Sequence, residues 1–260
     1  MEGKDQALDV WGEFACFSQA AFKVERFSYP VITPSAAKGI YDAIYCRPKE
    51  FRWQVTAIEI LKPKNCSDFQ QDGAREKISP VNYIALRRNE VKEKISINAV
   101  ISWLGGRKTP EPIWADGDRH LTGSDEKGRT QRQTMALKNV RYRLHAHIRP
   151  WPGFDGAIQG FEAQFRRRAA HGKCIYQPYF GCREFPAYFE LVEPGAPPAD
   201  RIPVDMEIGL MLYDVFDLSR PGQSEDKCTV SLFRATVKGG MLKIPSYESD
   251  IVLKGIRGEN

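Results

Sequence analysis

The tetrapeptide Thr33-Pro34-Ser35-Ala36 is the most restrictive instruction in this chain. A threonine hydroxyl can accept from the first free N–H groups of a helix, and a proline fits the first helical position, where its missing N–H costs nothing. Ala36, Ile40, Ala43 and Ile44 then recur at helical spacing and predict a core-facing stripe. Pro48 disfavours helical geometry at Arg47, so the helix is expected to end near Tyr45 or Cys46. Turning about 100° per residue from Ala36 sets Lys38, Tyr41 and Tyr45 together on the opposite side. One cation and two phenols are therefore expected to point away from the core.

Around this helix the period changes to two. In residues 8–17, Leu8, Val10, Phe14 and Cys16 fall on one face and Asp9, Trp11, Glu13 and Phe17 on the other. That is a strand with one core side and one side mixing charge with rings. Residues 51–61 read as a second strand, 91–104 hold a third and 135–148 a fourth, which ends in the alternation Leu144, Ala146, Ile148. Residues 161–171 predict an amphipathic helix with Phe161, Phe165 and Ala169 inward, Arg166, Arg167 and Arg168 outward, and Gly172 at its C-terminal cap. A further strand is expected at 179–191. Pro194, Pro197, Pro198 and Pro203 mark the clearest linker, and three strands follow at 207–216, 228–237 and 241–244, the last two joined by Lys238-Gly239-Gly240.

The 260 residues suffice for one large domain or two small ones. The expected fold class is α+β. A ferredoxin-like domain spans residues 1–193, with a polar insertion near 105–133, and a small C-terminal antiparallel β-sheet occupies 204–260.

A net charge of +5 is a weak pointer to an anionic partner, but its distribution is more informative. Basic residues gather at Arg87-Arg88, Arg141/Arg143 and Arg166-Arg167-Arg168 with aromatics nearby. Cations hold phosphates and rings stack on bases, so the pattern suits a nucleic acid; a solvated charged surface is the alternative. No apolar run is long enough to span a bilayer and no secretory pattern opens the chain, so no membrane partner and a cytoplasmic location are expected. The six cysteines form no CxxC pair and no zinc spacing, and read as reduced thiols. Asp116, Asp118, His120, Asp125 and Glu126 gather metal-binding side chains in the polar insertion. They leave open a metal-dependent nuclease acting on RNA or DNA, against a solvated loop, but match no closed metal motif.

Several stretches resemble one family. They are Val10-Trp11-Gly12-Glu13-Phe14-Ala15-Cys16-Phe17, the run from Val24 through Tyr29-Pro30 and Thr33-Pro34 to Ile40, Ala43-Ile44-Tyr45, Arg87-Arg88-Asn89-Glu90-Val91, Gln177-Pro178-Tyr179-Phe180-Gly181-Cys182-Arg183-Glu184-Phe185, and Gly209-Leu210-Met211-Leu212-Tyr213-Asp214. The family is the CRISPR-associated RAMP proteins of type I-C systems, the fifth Cas family in its d variant. The resemblance implies an RRM-like ferredoxin fold with a C-terminal sheet, and metal-free cutting of the repeat in pre-crRNA with no cofactor. It also implies retention of the crRNA 5′ handle beside the backbone and large subunits of the interference complex. Double-stranded DNA stays open as a further partner.

Metal-free RNA cleavage uses the 2′-hydroxyl as nucleophile, so the protein must accept a proton, protonate the leaving 5′-oxygen and stabilise the phosphorane. The family pattern supplies a tyrosine, matched by Tyr45, and a Lys-His pair entering a later helix. Counting back from Phe165-Arg166-Arg167-Arg168, that pair falls on Gly160 and Phe161, which cannot move a proton. His171 and Lys173, after the same helix, are the nearest substitutes, and His171 joins Tyr45 as an expected catalytic residue. Lys23, Arg26, Lys38, Arg87, Arg88, Arg166, Arg167 and Arg183 are the expected RNA contacts, because guanidinium groups both pair with phosphate and stack on bases. A non-catalytic subunit holding the 5′ handle is the alternative that the missing pair keeps open.

Overall fold

The computed structural model is organised by one 22-residue strand, β5 (Arg129–Pro150). It describes residues 3–19, 25–63, 81–91, 95–110, 120, 123, 129–223 and 228–255, the backbone alone at 88–91 and 129–130. In chain order the elements are β1 (Gln6–Ala15), β2 (Arg26–Phe27), α1 (Pro34–Ile44), β3 (Phe51–Ile60), β4 (Tyr83–Val91), α2 (Ile97–Leu104), β5, α3 (Ile158–Ala170), β6 (Tyr188–Val192), β7 (Met206–Asp214), β8 (Ser231–Lys238), β9 (Met241–Lys243) and β10 (Leu253–Lys254). Two compact units result, one of residues 1–84 and 135–260 and one of 85–134. This is a mixed α/β protein with a large antiparallel sheet and few helices.

In the larger unit the strands run β10-β8-β9-β3-β5-β1-β6, with neighbours along this order antiparallel. The strands β7 to β10, expected to form a sheet of their own within 204–260, instead extend the main one, because β9 pairs with β3 from Ala57↔Lys243 to Glu59↔Met241. The β8–β9 hairpin turns at Gly239 and Gly240 with φ of 54° and 76°, the left-handed pair that matches strand twist. The strand expected across 179–191 is confined to β6. The chain before it forms turns, joined only by an isolated bridge between Tyr179 and Pro186.

In the smaller unit, the strand expected within 91–104 is a helix over its last eight residues. Ser96 Oγ accepts from Ala99 N at 3.2 Å and caps α2, and Gly105 N closes it on Ile101 O at 2.9 Å. The Ser96 cap and the following glycine decide the conformation of this apolar run. The polar insertion ends earlier than expected, since 129–133 already belong to β5.

One face of the sheet carries α1 and α3. Leu8, Val10, Ile58, Leu144, Ala146 and Ile148 are buried there against Ile40 and Ile44 of α1 and Phe165 and Ala169 of α3. The helices and sheet meet in a ring cluster. Trp53 lies 4.6 Å from Phe165 and 4.9 Å from Tyr41, and Tyr41 lies 5.6 Å from Phe165. Tyr41 therefore does not point outward, as the helical wheel suggested. It is fully buried, and its hydroxyl donates to the carbonyls of Gln6 at 2.8 Å and Leu144 at 2.9 Å. The wheel allowed α1 one core face, whereas α1 also packs against α3 and β7.

The opposite face is built of paired charge. Asp9 receives Arg143 at 2.7 Å and Arg141 at 3.2 Å. His145 lies between Asp5 at 2.9 Å and Glu59 at 2.8 Å, and Arg201 reaches Glu59 at 3.2 Å. The proline-bearing segment between β6 and β7 passes over this face, held by Arg143 on the Pro197 carbonyl at 3.3 Å and Lys62 on Asp200 at 3.0 Å. No helix of the described residues is long and apolar enough to cross a membrane.

Two outcomes follow. Tyr41→Phe leaves two buried carbonyls without their donor and lowers unfolding free energy by about 1–3 kcal/mol, read as a drop in the urea midpoint with unchanged slope. The hydrogen bonds that the His145 ring donates to Asp5 and then Glu59, against an opposing burial cost, raise its pKa above its usual 6.5. A folded ring that holds its proton more tightly stabilises the protein fully below the unfolded pKa and loses that contribution as pH rises through the folded one. The urea midpoint should therefore fall across the neutral to mildly alkaline range, and His145→Gln should flatten that fall.

Candidate active site

The last turn of α1 presents Tyr45, and the sequence fixes both ends of the helix that carries it. Thr33 Oγ1 accepts from Ala36 N at 3.3 Å and Pro34 opens the first turn. At the other end Tyr45 leaves helical geometry with φ of −153° and ψ of 120°, before Pro48. A helix end leaves its last carbonyls without intrahelical donors. Here three consecutive ones are taken by three other segments. Ala43 O accepts from Ile175 N at 2.6 Å, Ile44 O from Arg168 Nε at 2.6 Å and Tyr45 O from Trp53 Nε1 at 2.9 Å.

The Tyr45 ring is mostly buried, 9% exposed, at the edge of an aromatic group rather than standing free. Its centroid lies 5.9 Å from Phe51 and 6.4 Å from Phe161, and Phe161 lies 5.1 Å from Phe51 and 5.5 Å from Phe154. Phe161 and Gly160, the positions where the resemblance places a Lys-His pair, thus belong to the first turn of α3, and Phe161 stands directly beside Tyr45. A Cβ added at Gly160 would meet nothing within 4 Å.

The cations nearest Tyr45 on and after α1 are engaged elsewhere. Lys38 Nζ bonds Asp214 at 2.6 Å in a largely buried pair, so it does not project from a free helix face. Burial lifts the neighbouring Asp42 carboxyl to about 6 against the opposing pull of Lys38. Burial and the adjacent Asp42 also push the Cys46 thiol to about 12. Arg47 reaches Glu50 at 3.6 Å. Lys38 and Asp42 line a cavity of about 780 Å³ with Phe51, Arg52, Trp151 and Phe216.

His171 is exposed at the other end of α3, where its Nδ1 donates to the Arg167 carbonyl at 2.7 Å and leaves Nε2 as the acceptor nitrogen. Ten residues of helix separate it from Phe161, roughly 15 Å along the axis, so the structure does not bring it to the Tyr45 ring as the sequence suggested.

The expected RNA contacts divide. Arg167 and Arg183 are exposed, as is Arg87 on β4. Arg166 is engaged by Gln6 Oε1 at 3.2 Å and by Glu193. Arg26 reaches Glu184 at 2.6 Å and the sulfur of Cys182 at 3.3 Å. Lys23 and the side chain of Arg88 lie outside the described residues, as do Asp116, Asp118, Asp125 and Glu126 of the acidic cluster. No metal-holding group occurs among the described residues. Arg168 is the residue that sequence reasoning missed. It was one of three arginines assigned to an outer face, and only its position in the fold shows that it caps α1.

Comparison with known proteins places these features in a family. A family model described as CRISPR-associated protein, Cas5d, matches residues 7–245. A Mannheimia succiniciproducens protein named CRISPR pre-crRNA endoribonuclease Cas5d is 33% identical over 251 residues, covering 94% of this chain and 96% of that one. A Thermus thermophilus protein of the same name is 33% identical over 254 residues, covering 92% and 90%. The fold is shared with a crystal structure of a CRISPR-associated protein at a TM-score of 0.57, with 18% identity and 97% of each chain covered. The matched region runs from the first strand through the α1 terminus and α3 into the C-terminal strands, and the chain belongs to the Cas5d family of CRISPR-associated proteins.

Proposed function

We propose that this protein is an endoribonuclease that cleaves the repeat of pre-crRNA and keeps hold of the crRNA 5′ handle. The observation that carries the reading is the near full-length identity to two proteins named as pre-crRNA endoribonucleases. The order β6-β1-β5-β3, with α1 following β1 and α3 following β5, supports the ferredoxin-like, RRM-like core expected of such a protein. The backbone and large subunits of a type I-C interference complex are its proposed protein partners, and double-stranded DNA a proposed further ligand.

Tyr45 is the proposed catalytic residue. A phenol can donate its proton in a hydrogen bond. Its part is to hydrogen-bond the charge that grows on the scissile phosphate, or to protonate the departing 5′-oxygen. The three capped carbonyls behind it hold the residue in place while RNA binds. Arg167, Arg183, Arg87, Arg88, Arg26, Lys23, Arg166 and Lys38 are the proposed RNA contacts, the exposed ones foremost. His171, exposed at the far end of α3, is the proposed second proton-transfer group, acting where RNA binding brings it to the same phosphate as Tyr45.

One observation favours the second reading, a subunit that binds the 5′ handle without cutting. Phe161 occupies the space beside Tyr45 where a proton-transfer side chain is expected. Incubating the protein with 5′-labelled repeat RNA, with and without EDTA, separates the readings. EDTA-resistant cleavage that Tyr45→Phe reduces by on the order of a hundredfold supports the first. Binding without cleavage supports the second, and metal-dependent cleavage supports a metallonuclease instead.

Restoring the pair tests the same chemistry from the other side. Gly160 has room for a side chain, and Phe161 lies in contact distance of Tyr45. Gly160→Lys with Phe161→His should raise the single-turnover rate by on the order of a hundredfold. An unchanged rate would mean that other residues already move the protons.

A further inference from the structure

Cys16 and Cys182 come from segments far apart in sequence and meet in the interior of the fold. Cys16 follows β1 and is fully buried, and Cys182 lies in the turn before β6 at 9% exposure. The two backbones run side by side. Cys16 N donates to Phe180 O at 3.1 Å, and the Cys182 thiol reaches Cys16 O at 3.6 Å. The residue between them permits the approach. Gly181 has φ of 78°, and a Cβ there would fall 2.1 Å from Cys16 O, so no other residue fits without displacing β1. Each thiol is the leading influence on the other's hold on its proton, as expected of two thiols in close approach.

The surroundings of the pair favour a thiolate. Arg26 Nη1 lies 3.3 Å from Cys182 Sγ, and Ser18 Oγ lies 3.6 Å from Cys16 Sγ. The hydrogen bond from Cys182 is the largest influence on Cys16 and, with Ser18 and Arg26, holds its pKa down to about 7 against the cost of burial. The Cys182 proton is held correspondingly tightly, because the neighbouring sulfur carries the charge. The Arg26–Glu184 pair beside them is partly exposed. Buried structural cysteines in apolar surroundings are inert; a thiol pair under a guanidinium is not of that kind.

We propose that Cys16 and Cys182 form a reversible oxidation site, closed to an intramolecular disulfide by a hydroperoxide. The Cys16 thiolate attacks the peroxide oxygen, an S–O bond forms and the O–O bond breaks, leaving Cys16 as a sulfenic acid and releasing hydroxide, which takes up a proton to become water. The sulfur of Cys182 then attacks the sulfenic sulfur. The S–S bond forms, the S–O bond breaks, and the hydroxyl leaves with the Cys182 proton as a second water. Two thiols lose two electrons and two protons in total, and the peroxide is reduced to two waters. The disulfide would fasten the end of β1 to the turn that carries Arg183 and Glu184. Under reducing conditions a thiol restores the pair, as expected of a transient bond in a reducing compartment.

The test is peptide mapping of the reduced protein after brief exposure to hydrogen peroxide and alkylation in denaturant. The expected result is a cross-linked peptide pair joining Cys16 and Cys182, short of two hydrogens, that dithiothreitol returns to two alkylated peptides. Its formation should precede modification of the exposed Cys228 and should speed up as pH rises through about 7. In Cys182→Ser, dimedone should label Cys16 in place of the cross-link. Alkylation of both Cys16 and Cys182 after peroxide, with Cys228 alone oxidised, would overturn the proposal, and this wild-type measurement decides the matter even if the variant does not fold.

Discussion

The fixed end of α1 is what the rest of the site depends on. Carbonyls at a helix terminus carry the negative end of the helix dipole, and in the interior they must find donors. Three successive carbonyls here find theirs in the chain after α3, in the Arg168 guanidinium and in the Trp53 indole. Each donor belongs to a different piece of structure, so Tyr45 cannot shift without breaking bonds to several of them. A residue required to meet a transition state is most useful when other parts of the fold, rather than the ligand, hold it in place. The same bonds join α3 to α1, which is how Phe161 comes to stand beside Tyr45.

How much of this was legible in the sequence varied with how local the determining interaction was. Thr33, Pro34 and Pro48 act within a few residues, and they set the bounds of α1 as read. The strand periods of β1, β3 and β5 were equally local. What failed was the inference from a helical wheel to a solvent face. Tyr41 projects about 140° from Ala36 and about 100° from Ile40, off the apolar stripe, but a helix covered by a sheet on one side and by α3 and β7 on others has no single inward stripe. The arginine run at 166–168 failed for the same reason. Three identical neighbours have three roles, on Glu193, on Gln164 and on Ile44, and two of those partners lie far away in sequence. The joining of the C-terminal strands to β3 also depends on distant pairing, and no linker composition reports it.

The charged face of the sheet narrows where RNA can lie. An open sheet with rings and arginines is a familiar platform for bases, and Trp11 stacked 6.2 Å from Tyr188 with Arg141 in the adjoining register looks like one in the sequence. Yet Asp9 takes up both Arg141 and Arg143, His145 is held between two carboxylates, and the Pro197 segment is bonded across the face. Cations that already neutralise carboxylates release little counterion when a phosphate arrives. Exposed arginines such as Arg167 and Arg183 have no such prior commitment in the ion pairs described. A backbone-tracking surface is therefore better sought around α3 and the turn before β6 than on the sheet.

Phe161 makes binding and cleavage separable questions in this protein. Cleavage by an internal 2′-hydroxyl needs groups that change protonation within the reaction, and general acid–base groups typically contribute between a hundredfold and ten-thousandfold. Binding needs only fixed charge and shape. The ring of Phe161 packs Tyr45, Phe51 and Phe154 into one cluster, which stabilises the α1 terminus and excludes water, but it neither gives nor takes a proton. A tyrosine held this firmly, without a titrating neighbour, is well made to donate a hydrogen bond to a phosphate and poorly made to act as a base. Both proton transfers of such a reaction occur at one phosphodiester, so any second proton-transfer group must reach the same phosphate as the phenol.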